Sequence, residues 1–196
     1  MTGYYDREAV RYDATRGGRP RARAAATALA GLLGPPSGPV LDLAGGTGSV
    51  AAELTAAGHR VLVLDGSAGM LRLAAQRIPG RVVRGSLAAL PVRTGSVSAV
   101  VAVWVLHLLP PELVAATMAE VARCLAPGGR FVSTVDKRAA NHGTPRDPDA
   151  TDCRDTVTRL AVHNGLTRYA DGGFAGHGQR TDAGATPWYP LLCLGR

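Results

Sequence analysis

The sequence predicts an α/β domain built on a doubly wound, mostly parallel sheet with helices on both faces. Three observations predict it. Short apolar runs alternate with helical segments between residues 39 and 135, the pace expected of successive strand–helix–strand units. Val97–Val103 is almost wholly β-branched or small, as a strand covered on both faces must be. The chain has 196 residues, of which 46% are hydrophobic and 19% charged, which suits one domain with a full core and excludes disorder as its main state.

The elements follow in order. Tyr4–Arg23 is polar, aromatic and arginine-rich, and Pro20 fits the start of a helix that runs over Ala22–Leu33 and stops at Gly34-Pro35-Pro36. Pro39–Leu43 reads as a buried strand, Ser49–Ala57 as a helix ended by Gly58, and Arg60–Leu64 as a second strand closed by Asp65. Ala68–Arg77 is a helix stopped by Pro79-Gly80, Arg81–Val83 a short third strand and Val97–Val103 the fourth. Pro111–Leu125 has proline at its first helical position and Gly128-Gly129 beyond its end, before a fifth strand at Arg130–Val135. Asn141–Asp149 reads as a polar loop and Asp152–Asn164 as a helix. Two more strands are expected in the glycine-rich remainder, the last at Trp188–Leu194, where Pro190 counts against the strand. The sheet therefore has seven strands and a C-terminal antiparallel one. The organisation is a single domain: residues 1–36 as lid and first helix, 37–137 as binding core, and 138–196 as the acceptor side.

The net charge of +7 is dispersed, and Lys137 is the only lysine. Arg16, Arg19, Arg21 and Arg23 make the densest basic stretch, but Pro and Gly interrupt it, so no nucleic-acid partner is expected. The longest apolar stretch, Val97–Leu109, contains Ser98 and His107 and is too short to span a membrane. The N-terminus lacks a signal pattern, and a cytoplasmic monomer or homodimer is expected. Cys124, Cys153 and Cys193 have neither CxxC spacing nor an even count, and no metal site is expected.

The densest functional signal is Asp42-Leu-Ala44-Gly45-Gly46-Thr-Gly48. A strand that turns at once into a helix needs little side-chain bulk, and Gly46 and Gly48 let the backbone approach a ligand at a helix N-terminus. Asp65 ends the next strand, where a carboxylate can accept from a ribose diol. Gly46-Thr-Gly48-Ser-Val-Ala51 also fits the dinucleotide pattern, which leaves a small NAD-dependent reductase as an alternative. Against it stand Asp42, placed where an amine-bearing ligand would use it, and the absence of a Tyr-x-x-x-Lys pair, since Lys137 has Ser133 at that spacing.

Val40–Gly48, Val61–Leu71 and Leu125-Ala-Pro127-Gly128-Gly129-Arg130 together resemble the class I S-adenosylmethionine-dependent methyltransferases, in their small-molecule, type 11-like branch. The resemblance covers about residues 1–137 and implies a Rossmann-like fold. It implies that Asp42, Ala44, Gly45, Gly46 and Gly48 cradle the methionine part of the cofactor and that Asp65 and Gly66 hold the ribose. Adenine is expected against Met70, Ser86 and Leu87, and Val103 lines the site. Ala44 replaces the first glycine of the family loop, and Ser86 stands where relatives often have aspartate. Tyr4-Tyr5-Asp6…Tyr12-Asp13…Arg16 is similar to a lead-in that forms a lid, with Tyr12 and Arg16 closing over the cofactor.

The reaction implied is methyl transfer to oxygen or nitrogen of a small organic molecule, plausibly a specialised metabolite, with S-adenosylhomocysteine as product. A protein of this fold that binds the cofactor without transfer is the alternative. His107, after the fourth strand, is the candidate general base, since an imidazole titrates near neutrality. Trp104 before it, and Asp136 and Lys137 after the fifth strand, complete the acceptor-side candidates.

Overall fold

The computed structural model describes residues 2–196, which form seven α-helices, a 3-10 turn and seven strands. The order is α1 (Thr2–Thr15), α2 (Gly18–Leu33), β1 (Pro39–Leu43), α3 (Ser49–Ala56), β2 (Arg60–Asp65), α4 (Ala68–Arg77), β3 (Val82–Arg84) and β4 (Val97–Ala102). There follow the 3-10 turn Leu106–Leu108, α5 (Pro111–Cys124), β5 (Leu125–Thr134), α6 (Lys137–His142), α7 (Arg154–His163), β6 (Thr167–Ala175) and β7 (Trp188–Gly195). The strands lie in the order β3-β2-β1-β4-β5-β7-β6, and β7 runs antiparallel to both its neighbours. Strand order reverses between β1 and β4, and ligands in open α/β sheets bind beyond the carboxyl ends at such a point.

The two faces of the sheet carry separate apolar layers. Leu41, Leu43, Val100 and Phe131 face α5 and α7 through Val114, Met118, Val121, Val157 and Ala161. Val40, Val61, Val63 and Val132 face α2, α3 and α4 through Ala25, Leu29, Leu54 and Ala74. Strand interiors that alternate between two buried faces explain why Val97–Ala102 shows no polar stripe. Cys124, Cys153 and Cys193 are buried and unpaired. None of the described helices is long and apolar enough to cross a membrane.

Several boundaries differ from the sequence reading, each for a local reason. The N-terminal segment is helical over Thr2–Thr15 although its buried apolar contribution is Ala9 alone; polar contacts, described below, hold it. β3 starts one residue later than expected. β5 begins at Leu125, because Val97 pairs with Leu125 and the register then shifts across Pro127-Gly128-Gly129. Asp136 starts the short helix α6 where a loop was expected.

Pro190 does lie within a central strand. Its carbonyl accepts from Val135 N (3.1 Å), so its missing N–H also faces the β5 side. The proline therefore leaves Val135 O without the reciprocal bond of that pair, and the β5–β7 ladder ends at Thr134 opposite Leu191, so the loss falls at its last rung.

Candidate active site

The carboxyl ends of β1, β2 and β4 surround a cavity of about 210 Å³. Ala44, Gly46, Asp65, Gly66, Met70, Leu87 and Val103 line it, as do Tyr5 and Tyr12 from α1. Its remaining wall is Leu64, Ser67, Gly85, Trp104, Val105, Leu108, Leu109 and Leu113.

The glycine loop is fixed before any ligand arrives. Gly45 N donates to Leu64 O (3.2 Å), Gly48 N to Gly45 O (3.0 Å), and Gly46 N to Asp65 Oδ2 (2.9 Å). A Cβ on Gly45 would lie 2.5 Å from Asp42 Oδ2, so the loop rests directly on that carboxylate. Gly48 acts through packing: with φ at +73° it caps α3, and a Cβ there would meet Ala74 at 3.0 Å.

Ala44 holds a left-handed φ of +48°, which explains why glycine suits this position. Left-handed backbone costs an L-residue roughly 1–2 kcal/mol, partly offset by the greater freedom glycine has when unfolded. Ala44→Gly is expected to stabilise the protein by about 0.5–1 kcal/mol, read as a higher urea midpoint at unchanged denaturant slope.

Asp42 is buried, and its Oδ2 has no hydrogen-bond partner. Burial, and then the nearby Asp65 carboxylate, push its pKa up to about 7. Asp65 accepts from Gly46 N on one oxygen and from Ser67 N (2.8 Å) on the other. Each oxygen keeps a second lone pair for a ligand hydroxyl. Burial raises its pKa against those backbone bonds.

α1 closes the site through two acidic clamps. Asp6 accepts from Ser67 Oγ (2.6 Å) and Gly69 N (2.8 Å), adding a carboxylate to the N-terminus of α4 already capped by Ser67 Oγ on Met70 N. Asp13 accepts from Thr47 Oγ1 (2.7 Å) and from Arg77. The sequence reading named Tyr12 and Arg16 for the lid. Tyr12 lines the cavity, whereas Arg16 is exposed, stacks on Tyr12 and borders a small adjoining cleft. Asp6 and Asp13, part of the lead-in motif but given no role there, hold the helix down.

Asp42, Gly45 and Gly48 support the loop from behind the cavity wall, and Ser86 and His107 also sit apart from it. Ser86 is exposed and its hydroxyl accepts from Ala88 N (3.2 Å), because the turn after β3 points it outward; Gly85 and Leu87 line the cavity in its place. His107 lies on the 3-10 turn Leu106–Leu108, off the cavity wall, with a buried, unpartnered Nδ1. Burial, then Lys137 and Arg21, lower its pKa to about 3, so the ring is neutral at physiological pH.

Residues 40–129 match the family model described as a methyltransferase domain. A demethylmenaquinone methyltransferase of Beutenbergia cavernae is 36% identical over 137 residues, covering 67% of this chain and 56% of that protein. A ubiquinone/menaquinone biosynthesis C-methyltransferase of Rubrivivax gelatinosus is 37% identical over 95 residues, covering 47% and 37%. The chain carries a class I S-adenosylmethionine-dependent methyltransferase domain. It spans about half or less of the length of these relatives. Among solved structures, the methyltransferase bound to the Trm112 activator of Haloferax volcanii superposes with TM-score 0.72 at 20% identity, covering 98% of this chain and 93% of that one. The glycopeptide N-methyltransferase MtfA, crystallised with S-adenosylmethionine, superposes with TM-score 0.68 at 24% identity, covering 88% and 93%. These likenesses establish the fold.

The methyltransferase domain fits S-adenosylmethionine. Asp65 on the cavity wall retains acceptor capacity for a ribose, and Asp42, with its unpartnered oxygen, lies behind Gly45 outside that wall. Met70, Leu87 and Leu64 offer apolar surface for a purine.

Proposed function

We propose that the protein transfers a methyl group from S-adenosylmethionine to an oxygen or nitrogen of a small organic molecule. The observation that carries this reading is the single cavity that joins Asp65 and Met70 to Trp104, Leu108, Leu109 and Leu113 beneath Tyr5 and Tyr12. One end has the polar groups a nucleoside needs, and the other is an apolar chamber in contact with it. The bound cofactor supplies an already activated methyl group on a sulfonium centre.

The chain's residues then have three tasks. Asp42 and Asp65 hold the polar parts of the cofactor. Tyr5, Tyr12 and the leucines exclude water, and the walls keep the acceptor atom in line. Positioning of this kind carries a large share of the rate. His107 is the proposed proton acceptor; with its basicity depressed it is a weak base, and removing it should cost less than the full hundredfold or more of a matched base. A role in specialised-metabolite biosynthesis is supported by the fold neighbours that act on glycopeptides and in echinomycin biosynthesis. The quinone C-methyltransferases among the relatives support carbon as an alternative acceptor atom.

Titration calorimetry with S-adenosylhomocysteine, followed by turnover of S-adenosylmethionine with a panel of phenols, amines and quinols, tests the reading. Binding with a dissociation constant below about 100 μM and product formation with one acceptor class are expected. Binding without turnover would favour a non-catalytic partner role, and no binding would overturn both. His107→Ala should lower turnover by roughly tenfold while leaving cofactor affinity unchanged.

A further inference from the structure

Arg21, on the first turns of α2, is an arginine buried without a counter-ion. It is 5% exposed. Its guanidinium lies 3.5 Å over the Trp104 ring centre and 5.6 Å from that of Tyr189. Nη1 donates to Arg16 O (3.0 Å), and Nε has no partner. Among the described residues, neither Arg21 nor Lys137 has a carboxylate within 4.0 Å.

Apart from the Tyr189 hydroxyl and the Arg16 carbonyl, the groups around it are also donors. Trp104 Nε1 is buried and unpartnered, as is His107 Nδ1, a donor in one tautomer. Burial, then Arg21 and Arg16, lower the Lys137 pKa to about 8, with Asp152 acting weakly in the other direction. Asp152 Oδ2 accepts from Lys137 N (2.8 Å) while its buried Oδ1 has no partner, and Asp136 Oδ1 accepts from Arg154 N (3.2 Å). The acceptor capacity near this cluster lies on the Lys137 side and does not reach Arg21 within 4.0 Å. Burying a cation without a partner costs several kcal/mol, and buried donors in folded proteins are ordinarily satisfied. Neither Arg21 nor Lys137 is on the cavity wall. Arg21 borders a small adjoining cleft with Tyr12 and Arg16, and Trp104 stands between the two spaces, lining both and carrying Arg21 on its ring.

We propose that Arg21 and Lys137 form the subsite for a carboxylate carried by the methyl acceptor, whose flat apolar body packs on Trp104. The inference rests on the methyltransferase reading above and names the substrate class for it. The cofactor has a carboxylate of its own, and the test separates the two sources.

Protein loaded with S-adenosylhomocysteine is titrated with benzoate, salicylate and 2-naphthoate and with the corresponding amides. At least one carboxylate should bind roughly tenfold or more tightly than its amide, and Arg21→Met should abolish that preference. Lys137→Met, at a less buried position, should reduce it and stands in if Arg21→Met fails to fold by circular dichroism. Affinities for S-adenosylhomocysteine and for 5′-methylthioadenosine, which lacks the amino-acid part, should be unchanged by either variant. A tenfold loss for S-adenosylhomocysteine but not 5′-methylthioadenosine would assign Arg21 to the cofactor and overturn the proposal. Equal binding of carboxylates and amides would also overturn it, while leaving the methyltransferase reading intact. Failure of the unmodified protein to bind S-adenosylhomocysteine would overturn that reading, and the proposal with it.

Discussion

Replacing Asp42 with asparagine is expected to stabilise the free protein at pH 8 by about 2–4 kcal/mol and to weaken S-adenosylhomocysteine binding by roughly tenfold or more. The folded chain keeps the Asp42 proton up to about pH 7, whereas the unfolded chain releases it near pH 4. Between those values the folded state binds more protons, so stability falls as pH rises, and the loss is complete above about pH 7. Asparagine has no charge to bury and escapes it.

His107 runs in the opposite direction. Its folded pKa of about 3 lies below the unfolded value near 6.5, so stability falls as pH drops through that window. The two slopes oppose each other between about pH 4 and pH 6.5 in the unmodified protein. The informative quantity is therefore the difference between Asp42→Asn and its parent, from urea unfolding: small at pH 4 and full at pH 8. An equal difference at both pH values would remove the buried carboxylate as the cause. If, as proposed, this carboxylate holds the cofactor's ammonium, stability and affinity should move in opposite senses.

Gly69→Ala should lift α1 from the site and weaken S-adenosylhomocysteine binding by roughly ten- to hundredfold. Alanine is the better helix residue by about 1 kcal/mol, so α4 itself is not weakened. Its Cβ would instead lie 2.8 Å from both Asp6 Cα and Asp6 O, and backbone atoms cannot turn aside. Lifting α1 breaks the bonds from Ser67 Oγ and Gly69 N to Asp6 and withdraws Tyr5 and Tyr12 from the cavity wall. Hydrogen exchange should quicken over residues 2–15 and stay unchanged in the sheet. Unchanged affinity in this variant would show that α1 takes no part in binding. The serine hydroxyl and the Gly69 amide hold the Asp6 pKa below the usual carboxylate range, so the clamp should persist in mild acid and loosen once pH falls through that depressed value.

Much of the core was legible because its signals are local. The strand runs, the glycine loop and the acids at Asp42 and Asp65 each depend on neighbours within a few residues, and the parallel register Leu43–Leu64 follows from stacking those runs. Ser86 stands outside the cavity wall because a side chain's direction after a strand depends on the turn, and here the hydroxyl is engaged by Ala88 N. The lid's helix was hidden because polar contacts far away in sequence, not an apolar stripe, secure it. Arg21 on Trp104 joins positions with no periodic relation, so an arginine among several in a basic stretch gave no hint of burial. Pro190 was misleading for a related reason: its cost depends on where β5 ends.

The non-glycine residues with positive φ are Ala44, Trp104 and Asp136, and they stand just past the carboxyl ends of β1, β4 and β5. A Cβ on Gly45 would press on Asp42 and one on Gly85 on Leu64, at 2.5 and 3.0 Å. At the opposite rim, Gly80 and Gly95 have φ of +72° and +64°, and a Cβ on Gly38 would lie 3.0 Å from Ser98 Cβ, so glycine is favoured at both ends of the sheet. New acceptor specificities must therefore come from side chains such as Leu108, Leu109 and Leu113, which face the cavity without sharing in the left-handed turns.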